Sequence, residues 1–115
     1  QRYERAKNTQ DFIKAFIFPG GCLPSMEAIV RSISRVTDLT VTKVDDYGLH
    51  YGETLRRWRA NLHDDERALD AMGLDERFVR MWEFYLCYCE GGFLERQLGD
   101  VHMLLTKPRC RLPAA

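Results

Sequence analysis

Only two segments of this chain alternate in the manner of a β-strand, LTVTKV at 39–44 and VHMLLT at 101–106. In both, apolar or β-branched side chains recur at every second position, the pattern of a half-buried strand. Two strands alone are marginal in water; they need further strands or a covering helix. Either the helices carry the fold, or the strands belong to a larger sheet whose other strands are missing from these residues.

The helical patterns are strong. Over 51–72, Leu55, Trp58, Leu62, Leu69 and Met72 fall mostly at three- and four-residue steps, and Gly73 follows as a helix stop. Asp75 caps a second long helix over 75–98, with Phe78, Met81, Trp82, Tyr85, Cys89 and Phe93 along one stripe. Upstream, NTQDFIKAFI predicts a helix over 8–17 with Asn8 or Thr9 as cap. Pro19-Gly20-Gly21 ends it in a turn over 18–23, and Met26, Ile29, Val30 and Ile33 mark a helix over 24–36. The tail RCRLPAA reads as loose.

Size and charge exclude several classes. At 115 residues the chain suits one domain, and 17 basic against 17 acidic residues lack the basic excess of a nucleic-acid binder. RRWR at 56–59 reads as a solvated helix face. No apolar run approaches the roughly 20 residues that span a bilayer. The polar opening QRYERAKNTQ holds no secretory signal, which predicts a cytoplasmic protein. Cys22, Cys87, Cys89 and Cys110 match neither a zinc ribbon nor a small disulfide framework. They read as reduced, packed thiols, with no metal bound.

Three stretches in order, FIFPGGCLPS at 16–25, LHYGETLRRW at 49–58 and ERFVRMWEFYLCYCEGGF at 76–93, resemble the C-terminal part of the cyclopropane-fatty-acyl-phospholipid synthases. This family includes the mycolic acid cyclopropane synthases, and the resemblance runs from about Asp11 to Lys107. It implies an α/β fold: residues 1–115 as a single C-terminal fragment of a class I S-adenosylmethionine methyltransferase domain, mostly helical with two antiparallel strands. It also implies a lipid methyltransferase that cyclopropanates or methylates the double bond of an unsaturated acyl chain, carried on a phospholipid or a carrier. In such enzymes the transferred methyl leaves a carbocation, and a bound bicarbonate takes the proton whose loss closes the ring.

The family's glycine-rich cofactor loop lies upstream of the part matched here. Gly20-Gly21, Gly48 with Gly52, and Gly91-Gly92 do not make a G-x-G turn between a strand and a helix. The expectation is that S-adenosylmethionine and bicarbonate serve the parent enzyme, while this chain alone binds no cofactor and is inactive. Of the bicarbonate ligands, the resemblance carries over only Tyr51, in His50-Tyr51-Gly52-Glu53-Thr54-Leu55. A phenol with an ordinary pKa of about 10 stays a donor at neutral pH; on the residues alone, Tyr51 reads as a helix-start aromatic packing on a sheet edge. His50, Cys22 and Glu27 stay outside the catalytic set. By the same resemblance, Leu55, Tyr85, Cys89 and Phe93 line the acyl tunnel. Apolar walls fit that role because each buried methylene contributes about 0.8 kcal/mol, although a core face has the same composition. Gly91-Gly92 suggests a close approach to the helix.

The alternative is a non-catalytic lipid-binding or interaction module derived from this family. A small helix-turn-helix DNA binder lacks a basic recognition helix. Expected partners are an acyl chain, the missing N-terminal half of the domain or a second copy as homodimer, and peripheral membrane contact.

Overall fold

A computed structural model of the chain describes residues 2–64 and 66–111. Asp65, within the helix expected over 51–72, and 112–115 of the tail lie outside them. The described residues form two compact units, one from within 1–44 and 103–115, the other Asp45–His102.

In the first unit the polar opening forms α1, Arg2–Lys7, where no element was expected. Asn8 and Thr9 do not cap the following element. They close α1 from behind: Asn8 Nδ2 donates to the Glu4 carbonyl at 3.2 Å and Thr9 Oγ1 to the Arg5 carbonyl at 2.7 Å. The helix expected from residue 8 is a π-helical turn, Ile13–Ile17, which we label α2. Its start is fixed by Asp11, whose carboxylate accepts from the Lys14 backbone N–H at 2.9 Å. Phe18-Pro19-Gly20-Gly21 is then a tight turn. The Gly21 N–H donates to the Phe18 carbonyl at 2.9 Å, and Gly20 sits at φ +78°. Proline before a left-handed glycine is the signature of a type II turn. Helix α3, Met26–Val36, starts at Ser25, whose side chain accepts from the Ala28 N–H at 3.1 Å. Met26 and Val30 on its apolar face remain exposed.

Strands β1, Thr40–Asp46, and β2, Val101–Thr106, form a two-stranded sheet. Thr42 Oγ1 donates to the Leu104 carbonyl at 3.1 Å, and beyond the strand end the Tyr47 N–H donates to the Asp100 carbonyl at 2.8 Å. Partners that descend along one strand as they rise along the other define an antiparallel register.

The second unit is built on two helices. Helix α4, Gly48–Asp64, begins three residues earlier than expected because the Asp46 carboxylate accepts from the Gly48 N–H at 2.8 Å. A short α5, Glu66–Ala71, lies beyond residue 65. It ends at Gly73, φ +75°, with the Leu74 N–H donating to the Leu69 carbonyl at 3.0 Å. Helix α6, Glu76–Leu94, starts at Asp75, which accepts from the Phe78 N–H at 2.8 Å. It stops four residues short of the expected 98, because Gln97 and Leu98 both donate backwards to the Gly92 carbonyl, at 2.8 and 3.0 Å. Helices α4 and α6 pack together, and their seam is the core: Leu55, Leu86, Cys89 and Phe93.

Candidate functional site

The seam gathers all five residues singled out by the resemblance. Tyr51 and Leu55 are one turn apart on α4; Tyr85, Cys89 and Phe93 recur at four-residue steps on α6. The Tyr51 ring meets Phe93 edge-on, centroids 5.0 Å apart, and also meets Trp58 edge-on at 6.0 Å. Trp82 stands edge-on to Tyr85 at 5.4 Å and tilted against Phe78 at 5.9 Å. Leu55 exposes no surface at all (0%), and Cys89 and Phe93 are buried. All three side chains are thus packed in the seam between the helices.

Its chemistry is that of neutral groups. Burial pushes the Tyr85 phenol up to about 12, with the Cys89 sulfur and Tyr51 adding to the effect. Burial likewise raises the Cys89 thiol, while the hydrogen bond with Tyr85 partly offsets it. A tyrosine hydroxyl donating to sulfur accounts for both directions, since it favours the neutral phenol and the ionised sulfur. The seam therefore holds no charge at neutral pH, which suits a hydrocarbon neighbour.

Charged groups border the seam. Arg59 Nη2 donates to Glu90 Oε2 across the helices at 2.9 Å, and His63 Nε2 lies 3.3 Å from Glu83 Oε1. RRWR is thus not wholly a solvated face. Arg56 and Arg57 are exposed and share Glu53, whose carboxyl their hydrogen bonds hold down to about 2. Arg59, by contrast, turns onto α6. Nothing local in the sequence signals this pair, whose members are 31 residues apart.

A cavity of about 230 Å³ opens beside Phe93, lined by Asp46, Gly48, Leu49, Arg96, Gln97, Leu98 and Gly99. Asp46 and Arg96 face each other there, 3.8 Å apart. The paired glycines of α6 differ: a Cβ on Gly92 would meet Leu98 Cδ1 at 2.9 Å, whereas one on Gly91 would meet nothing within 4 Å. The close approach expected at both is made at Gly92 alone, and by the chain's own Leu98.

The described residues include no G-x-G turn between a strand and a helix that would cradle S-adenosylmethionine. The one described strand that runs into a helix through glycine is β1 into α4, where Gly48 is crowded by Asp46 and Gly52 has ordinary side-chain neighbours. A Cβ on Gly48 would lie 3.2 Å from Asp46 Oδ1, and one on Gly52 3.7 Å from Phe93 and Leu94 side chains. Among the described residues no group of three or more His, Cys, Asp or Glu could hold a metal ion, and no helix is long and apolar enough to cross a membrane. Cys22, Cys87 and Cys110 are exposed free thiols rather than packed ones; Cys89 alone is buried.

The described helices and strand pair are part of a class I methyltransferase fold. The crystal structure of mycolic acid cyclopropane synthase CmaA1 complexed with SAH and CTAB matches 90% of this chain with a TM-score of 0.68 and 30% identity, over 33% of its own length. The chain belongs to the mycolic acid cyclopropane synthetase family, whose profile matches residues 1–103. It is similar to the tuberculostearic acid methyltransferase UfaA1 of Mycobacterium tuberculosis, 44% identical over 76% of this chain and 20% of the relative. The cyclopropane-fatty-acyl-phospholipid synthase of Escherichia coli K12 is 33% identical over 79% of this chain and 23% of its own length. The S-adenosylmethionine-dependent methyltransferase UmaA of M. tuberculosis is 37% identical over 84% of this chain and 33% of its own. The chain thus spans between a fifth and a third of these relatives.

Proposed function

We propose that this chain is the acyl-side portion of an S-adenosylmethionine-dependent lipid methyltransferase that cyclopropanates or methylates the double bond of an unsaturated fatty acyl chain. The observation that carries this reading is the convergence of Tyr51 on Phe93, ring centroids 5.0 Å apart, in a chain of this family. Tyr51 is the phenolic donor offered to bicarbonate, while Leu55, Tyr85, Cys89 and Phe93, an apolar seam packed shut between α4 and α6, part to take the acyl chain. Such a seam also excludes water from a cationic intermediate. S-adenosylmethionine is held by other parts of the longer enzyme, and this chain alone transfers no methyl group. The lipid is phospholipid- or carrier-borne, and the enzyme is cytoplasmic with peripheral membrane contact. The exposed Met26 and Val30 on α3 support a covering partner, either the remaining part of the domain or a second copy.

A second reading is a non-catalytic interaction module, favoured by the fully buried Leu55, since a filled seam is also what a scaffold needs. Photolabelling with a diazirine-bearing cis-unsaturated fatty acid separates the two. The first reading expects label on the peptides holding Tyr51 and Tyr85–Phe93. Label confined to exposed apolar side chains such as Phe16 and Leu23 contradicts it. Calorimetry with S-adenosylmethionine is expected to be flat for this chain, and saturable heat would overturn that part.

A further inference from the structure

The cavity beside Phe93 has two kinds of wall. Leu49, Phe93 and Leu98 give it apolar surface, and Arg96, Gln97 and Asp46 give it a charged and polar rim. A site so divided fits an amphiphile, with hydrocarbon on the leucines and phenylalanine and a head group at the rim.

The backbone of Arg96 points the same way. It sits at φ +51°, just past the C-terminus of α6, where helices most often place glycine. A side chain there is strained, and strain of this kind gathers at binding and catalytic sites. Its N–H is used normally, donating to the Phe93 carbonyl at 3.1 Å, so the departure from glycine is in the side chain. That side chain carries a guanidinium, and its partner Asp46 is 3.8 Å away, beyond hydrogen-bond range. Both groups are largely exposed, so the pair spends few of the five donors that the guanidinium presents in a planar fork.

We propose that Arg96 is the head-group residue of this cavity, and that it recognises the phosphate of a lipid whose tail lies along Leu49, Phe93 and Leu98. Planar guanidinium donors match phosphate oxygens in pairs, which a lysine ammonium cannot reproduce. Phe93 connects this cavity to the seam, because the same ring touches Tyr51. The inference deepens the acyl-side reading and rests on it, adding where the polar end of the substrate is held.

The test uses dodecyl phosphate below its micelle concentration, dodecyl maltoside as the neutral amphiphile and inorganic phosphate as the headless control, each titrated into the full chain. The Arg96→Gly variant relieves the backbone strain, so it is expected to melt at or above the parent temperature. It should nonetheless bind dodecyl phosphate about tenfold more weakly, with dodecyl maltoside unchanged. Asp46→Asn keeps an oxygen for the Gly48 N–H, removes the competing charge and is expected to tighten dodecyl phosphate several-fold. Equal affinity of parent and Arg96→Gly for dodecyl phosphate overturns the proposal, as does inorganic phosphate binding as tightly as dodecyl phosphate. If neither amphiphile binds the parent chain, the acyl-side reading itself fails. If both bind equally well, only the head-group assignment fails.

Discussion

Leu98 folds back over Gly92, so close that a single added methyl at 92 would meet its Cδ1 at 2.9 Å and its Cγ at 3.1 Å. This contact turns the chain from the end of α6 towards β2, and it makes neighbouring glycines respond in opposite senses. Gly91→Ala enters open space within a helix and is expected to stabilise by about 1 kcal/mol. Gly92→Ala must push Leu98 aside and is expected to destabilise by about 1–2 kcal/mol. Urea denaturation of the two variants reads both signs, and two shifts of the same sign would remove the packing account of this turn.

Leu55 is the centre of the α4–α6 seam, with no exposed surface. Leu55→Ala is expected to cost roughly 2–5 kcal/mol, the range for a buried leucine whose cavity does not fully collapse. A loss below about 1 kcal/mol would mean that the seam opens readily enough to refill, and it would argue for a slot rather than a core.

Burial first, and contact with Cys89 second, push the Tyr85 phenol up to about 12. The folded value lies above the ordinary tyrosine value of about 10. The resulting stability is therefore fully present below pH 10 and is lost as pH rises towards 12. Ultraviolet titration should show one tyrosine ionising late, and Tyr85→Phe should remove that step. If all tyrosines ionise together near 10, the seam is wetter than its packing implies.

Local signals carried much of the fold. Asp75 before Phe78 and Pro19-Gly20 each reveal an element boundary, because caps and turns are settled within four residues, whereas α3, expected from residue 24, starts only after its Ser25 cap. The stripe from Phe78 to Phe93 likewise placed the α6 side of the seam. Less legible were the ends that depend on distant partners. Helix α4 starts at Gly48 because of Asp46, and α6 stops at Leu94 because Leu98 returns to Gly92. The Asn8-Thr9 pair misled for the opposite reason: side chains that can cap the next helix can equally close the previous one. At the site, family motifs rather than periodicity pointed to Tyr51, since an aromatic at a helix start has the same spacing whether it packs or donates. The pairing of Asp46 with Arg96 left no local trace, being a contact across the ends of two elements.

Methyl transfer by a chimera tests the central claim most directly. Residues 1–103 replace the matching segment of the E. coli K12 cyclopropane-fatty-acyl-phospholipid synthase, and radiolabelled S-adenosylmethionine is supplied with oleoyl phospholipid vesicles. The predicted result is a labelled methylated or cyclopropanated acyl product, formed at least about tenfold more slowly by Tyr51→Phe, a loss typical of one removed catalytic hydrogen bond. A chimera that binds S-adenosylmethionine yet yields no acyl product, or one whose rate is unmoved by Tyr51→Phe, would contradict it.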